Sequence, residues 1–117
     1  MTENGMNLPI DLETAKERVM GDLEFLREML DEFEASIPAH LQSIRDAIEQ
    51  KDATTLSKTA HQFKGVALNL SVLQIAEKAA ALDELGRTAD FEKAVVGLND
   101  LEFAVSAFKV FMEKETW

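Results

Sequence analysis

From Leu23 onward, apolar side chains return every three or four positions: Leu26, Leu30, Phe33, Ile37, Leu41, Ile44 and Ile48. A helix turns about 100° per residue, so this spacing gathers them on one face, whereas a strand would need strict alternation. A stripe of that length needs covering, because most helical stability in water comes from burying such a face. Three further stretches supply the cover: Leu56, Ala60, Phe63, Ala67 and Leu70; then Leu73, Ala76, Ala79, Ala80 and Leu82; then Val95, Leu98, Leu101, Val105, Phe108 and Met112. With only 5 Gly, 2 Pro and no Tyr in 117 residues, turn-rich sheet architectures are disfavoured. The pattern predicts an all-α fold, an up-and-down antiparallel four-helix bundle with a short additional N-terminal helix.

The breaks between the stripes fit that reading. Residues 1–9 are polar and irregular and are expected to form a flexible arm, leaving 10–117 as a single domain. Asp11 can cap a short helix through about Val19, and Gly21-Asp22 marks a break followed by a new cap. Pro38, inside the long stripe, removes one hydrogen bond and predicts a kink. Asp52, Ser71 and Asp90 are the next cap candidates, and the second of the later stretches, Leu73 to Leu82, stops near Gly86.

Charge and composition exclude several functions. Asp and Glu total 22 against 12 Lys and Arg, a net charge of −10 that repels nucleic acid and anionic membranes. No cysteine is present, so thiolate catalysis and cysteine-held metal are excluded. No apolar run approaches the ~20 residues needed to span a bilayer, and the first residues lack the features of a signal peptide. A monomer in a reducing, cytoplasmic setting is expected. No phosphate-binding glycine loop or nucleophile elbow is present, so autonomous kinase chemistry has no visible nucleotide site.

One segment asks for chemistry: "AHQFKG", residues 60–65. With Phe63 at the centre of the core face, His61 falls about 160° away, on the outside of the helix. Lys58, Gly65 and Leu68 share that outer face, and Lys64 lies along its flank. A neutral imidazole is a nucleophile near pH 7 and can carry a covalent intermediate. Lys64 would offset the charge of a phosphoryl group on it. Glycine inside a helix costs about 1 kcal/mol against alanine, so Gly65 suggests that a partner's backbone comes close there. An ordinary surface histidine is the simpler alternative, but it leaves Gly65 without a reason. His40 lacks such surroundings and is expected to be a surface residue near Pro38. The two histidines do not make a metal-binding spacing.

Residues 60–90, "AHQFKGVALNLSVLQIAEKAAALDELGRTAD", resemble the histidine phosphotransfer (HPt) domain family. The family's Ala-His-x-Leu-Lys-Gly motif matches at His61, Lys64 and Gly65, and Asn69, Leu70, Ile75, Ala79, Leu82, Asp83, Arg87 and Asp90 fall in register without a gap. "GDLEFLREMLDEF", residues 21–33, resembles the family's second helix. Phe63 replaces a usual Leu, Ser71 and Ala89 stand where Gly is common, and Asp83 replaces a frequent Glu.

The resemblance implies a phosphorelay intermediate. His61 would accept a phosphoryl group from a receiver-domain aspartate and pass it to another receiver. Lys64 would stabilise the phosphate charge, Lys58, Gly65 and Leu68 would meet the partner, and Asp83 is the candidate to orient the imidazole. The partners would be receiver domains of response regulators or hybrid kinases. Mg²⁺ would come from the receiver, and no cofactor or metal from this chain. A helical adaptor that binds a receiver or kinase without carrying phosphate is the alternative reading. The presence of His61, Lys64 and Gly65 together weighs against it.

Overall fold

The computed structural model describes residues 8–115, so most of the arm expected over 1–9 lies outside the described residues. Five helices follow one another: α1 (Leu12–Arg18), α2 (Leu23–Glu49), α3 (Ala53–Asn69), α4 (Leu73–Arg87) and α5 (Phe91–Lys114). The four long ones form the bundle. α3 packs most closely on α4, α4 on α5, and α2 against both α3 and α5, so α3 and α5 stand diagonally across the core. α2 runs unbroken through Pro38, which faces solvent. The carbonyl one turn back that loses its donor lies on that same wet side.

The stripes bury as their spacing requires. Leu26, Leu30, Phe33, Ile37, Leu41 and Ile44 of α2 meet Leu56, Ala60, Phe63 and Ala67 of α3 and Leu101, Val105, Phe108 and Met112 of α5 in one core. Phe33 stands at its centre, stacked on Phe63 with centroids 5.8 Å apart and edge-on to Phe108 at 5.5 Å. Two assignments shift. Val95 is exposed, because the alternation of three and four along α5 selects Ala94, and Val95 lies one residue round the helix. Ile75, absent from the stripe expected for α4, is fully buried.

The helix junctions share one construction. Asp11, Asp22, Asp52 and Asp90 cap α1, α2, α3 and α5, each accepting a hydrogen bond from the backbone N–H three residues on. Ser71, expected to cap α4, does not. It ends α3 instead, in the left-handed region at φ 61°, and Val72 takes the cap position with no side-chain bond to give. Val72 N–H reaches back to the Ala67 carbonyl and Ser71 N–H to that of Leu68, the paired bonds of a Schellman turn. Met20, Lys51 and Ala89 hold the same left-handed place after α1, α2 and α4. The positions where Ser71 and Ala89 replace the family's frequent Gly are therefore ones where the backbone favours glycine.

α1 braces the α3–α4 junction. Asp11 N–H donates to the Ser71 carbonyl at 2.8 Å, and Ile10 beside it is fully buried. Arg18 Nη1 donates to the Leu68 and Asn69 carbonyls, both at 3.0 Å. A guanidinium there satisfies carbonyls that the end of α3 would otherwise leave open, and it complements the helix dipole.

Candidate functional site

α3 carries His61 on its outer side, as the angular argument requires, with 58% of the side chain exposed. The ring is nevertheless held. Asp83 of α4 lies beneath it, with Oδ2 3.2 Å from His61 Nδ1. Only 7% of the Asp83 side chain reaches solvent. Its carboxylate also accepts from Ser57 Oγ at 2.6 Å and from Arg87 Nε at 3.1 Å, with Arg87 Nη2 at 3.4 Å from the second oxygen. Burial alone would raise the pKa of Asp83. The hydrogen bonds from Ser57, Arg87 and His61, with the Arg87 charge, outweigh it and bring the value down from 3.8 to about 2. Asp83 is thus ionised near neutral pH and can only accept, so Nδ1 must carry the proton facing it. In the neutral ring the lone pair is then left on Nε2.

Gly86 makes this contact available. A Cβ built there would stand 2.7 Å from the Ser57 backbone nitrogen and 3.0 Å from its Cα. Only glycine lets α4 approach α3 closely enough for Asp83 to meet Ser57 and His61. Gly86 is inside α4, which continues to Arg87.

Gly65 is different. α3 continues through it to Asn69, and a Cβ added there would meet nothing within 4 Å. Leu68, one turn on, is 43% exposed, so no neighbouring helix covers it. Lys58 is exposed and Lys64 half-buried, and neither forms an ion pair among the described residues. Both stand within one turn of His61 on α3 and bring positive charge to that part of an otherwise acidic protein.

The candidate site residues His61, Lys58, Lys64, Gly65, Leu68 and Asp83 thus lie on this face, along its flank or directly beneath it. Ser57 and Arg87 join them as residues with no assigned role in the sequence reading. Each left a faint trace: Ser57 is four residues before His61, and Arg87 four after Asp83, the spacings of helical neighbours.

His40 departs from expectation. It is half-buried, stacked on Phe63 with centroids 4.6 Å apart, and burial lowers its pKa. The enlarged aromatic at position 63 gives the imidazole a flat surface to pack on. His40 is a neutral packing residue near pH 7 and stands apart from the Asp83 network.

An all-α bundle presenting one buried-carboxylate-held histidine on a helix face defines the class of protein. Comparison with protein families makes it specific: the Hpt domain profile matches residues 28–109, and the chain belongs to that family. Among solved structures, histidine-containing phosphotransfer protein B (HptB) from Pseudomonas aeruginosa PAO1 shares the fold. The TM-score is 0.82 at 22% identity, covering 91% of this chain and 92% of that one. A search of curated protein sequences gives no match. Among the described residues no helix is long and apolar enough to cross a membrane.

Proposed function

We propose that this chain is a phosphorelay intermediate, taking a phosphoryl group onto His61 Nε2 from the aspartyl phosphate of one receiver domain and giving it to the aspartate of another. The observation that carries the reading is the pairing of an exposed imidazole with a buried, ionised Asp83 at its Nδ1. The Nε2 lone pair attacks phosphorus in line. The bond to the aspartyl oxygen breaks, and its electron pair returns to the receiver's carboxylate. The ring becomes an Nε2-phosphoimidazolium with its Nδ1 proton still bonded to Asp83. No proton needs to move, and transfer to the next receiver is the same step reversed.

Such chemistry needs positioning and charge stabilisation more than covalent machinery. Lys64 supplies positive charge beside the phosphoryl group, and Lys58, Gly65 and Leu68 form the surface the receiver meets. The Mg²⁺ that neutralises the transferring group belongs to the receiver in this reading, which places the chain in the cytoplasm with such partners. The test is incubation with a phosphorylated receiver. Base-stable, acid-labile label is expected on the parent and on His40→Gln but not on His61→Gln. Label persisting on His61→Gln, at unchanged helix content, would overturn the assignment.

A further inference from the structure

Away from His61, the outer side of α5 carries a line of exposed large apolar side chains. Phe103 is 78% exposed, Val96 59% and Val110 47%. They stand seven residues apart, so they form one line along the helix. Ala94, Leu101, Val105, Phe108 and Met112 occupy the opposite, buried side, so the line points away from the core and from α3. Three large apolar side chains aligned on one face, with their flanking charges, make that face a surface on which a partner can be sought.

The residues flanking the line identify what covers it. Heptad geometry puts Glu92, Asn99, Ser106 and Glu113 along one edge and Lys93, Asp100, Ala107 and Lys114 along the other. At both ends, acid lies on one side of the stripe and base on the other. Consider a second copy related by a two-fold axis parallel to α5. Val96, Phe103 and Val110 each meet their own counterpart, and the acid edge of each copy meets the base edge of the other. Glu92 then faces Lys93, Glu113 faces Lys114, and Asn99 faces Asp100, each twice. Lys93 keeps a contact with Asp90 at 3.9 Å, too long to occupy its other donors. An antiparallel copy would instead set Glu92 against Glu113 and Lys93 against Lys114. A groove between α4 and α5, lined by Lys78, Asp100 and Phe103 among others, gives the partner's ring room beside the stripe.

We propose that the outer face of α5 pairs two copies of this chain, parallel and in register about Phe103. This departs from the monomer expected of the sequence. It does not depend on the phosphotransfer reading, and because α5 is diagonal to α3 it leaves both His61 rings open. A single helix pair is a small interface, and a net charge of −10 on each copy opposes association. The dimer is therefore weak.

Sedimentation equilibrium from about 5 to about 500 µM, concentrations at which weak association is detectable, should show a monomer–dimer equilibrium. Phe103→Glu should weaken it at least tenfold, with an unchanged thermal melt because the ring is outside the core. Orientation is read by cross-linking, which the absence of natural cysteine makes clean. Under mild oxidation Val96→Cys should link to itself, as should Val110→Cys, and a mixture of the two should give little mixed product. Dominant mixed product would mean an antiparallel pair and overturn the proposal. So would a chain that stays monomeric to the highest concentration, or a dimer indifferent to Phe103→Glu. A monomer whose receiver binding Phe103→Glu weakens would assign this face to the receiver, and would equally overturn it.

Discussion

Gly65 and Gly86 both stand inside helices, with the same intrinsic cost of about 1 kcal/mol against alanine. At Gly86 the beneficiary is visible within the molecule: the Ser57 backbone fills the space a methyl would need. At Gly65 nothing fills it. The first glycine is a requirement of the fold, because it draws α4 onto α3 and lets Asp83 reach His61. The second weakens α3 with no packing return, at the helix position one turn from an exposed imidazole. The contrast separates what the bundle needs from what its surface offers a partner, and mutations can test whether that separation is real.

The largest effect on stability is expected at Gly86. A Cβ would press on backbone, which cannot turn aside as a side-chain tip can, so the helices must part. Overpacking of this kind costs roughly 1–3 kcal/mol, partly offset by alanine's better helix propensity. Gly86→Ala should lower stability by about 2 kcal/mol in denaturant titrations, and it should weaken the Asp83–His61 contact. A variant as stable as the parent would show that the close approach at Ser57 is not needed.

Asp83 comes next. Its folded pKa of about 2 lies below the ordinary 3.8. The stability it contributes is therefore present above about pH 4 and lost as pH falls through 3.8 towards 2. A shift of that size corresponds to about 2 kcal/mol. Asp83→Asn should be less stable by about that much at pH 7 and should lack this part of the acid transition, which equilibrium unfolding at pH 7, 4 and 2 would show.

Reading these residues from sequence succeeds where the signal is local. The three-and-four spacing fixed α2 and α3 because each buried side chain there has a neighbour on the same face. Asp11, Asp22, Asp52 and Asp90 were legible as caps because a cap acts within three residues. His61, Gly65 and Leu68 were legible as one face for the same reason. What could not be read is what depends on how two helices meet. Ser57 and Asp83 are 26 residues apart, and their bond exists only through the spacing that Gly86 allows. His40 reads as a surface residue in the sequence because its stacking partner, Phe63, belongs to another helix. Ser71 reads as a cap because a serine before a helix usually caps it, whereas the Schellman turn claims it first.

The turns sharpen the comparison from the other side. Glycine is used at positions 65 and 86, where helical φ does not require it, and is missing at Met20, Lys51, Ser71 and Ala89, where φ is positive. Ala89 is exposed, so its strain can be relieved without disturbing packing. Ala89→Gly should raise stability by about 1 kcal/mol or less, the left-handed penalty being reduced by glycine's greater freedom when unfolded. A thermal melt that does not rise would mean the Schellman turn tolerates alanine at no cost.

The smallest expected effect on stability is at Gly65, and it decides what that glycine is for. Glutamine is the better helix former by about half a kcal/mol. Its side chain would enter open space, so Gly65→Gln should melt slightly higher than the parent. If the space is reserved for a receiver, the same variant should bind receiver more weakly and accept phosphoryl more slowly, because the added side chain holds the partner off His61. Stability and transfer would then move in opposite directions, the reverse of Gly86→Ala, where both fall together. Receiver titrations and melts on the two variants, taken as a pair, read this directly. Should Gly65→Gln unfold the domain, or bind and transfer as well as the parent, the empty space at Gly65 would have no partner in it, and the two glycines would not differ in the way the structure suggests.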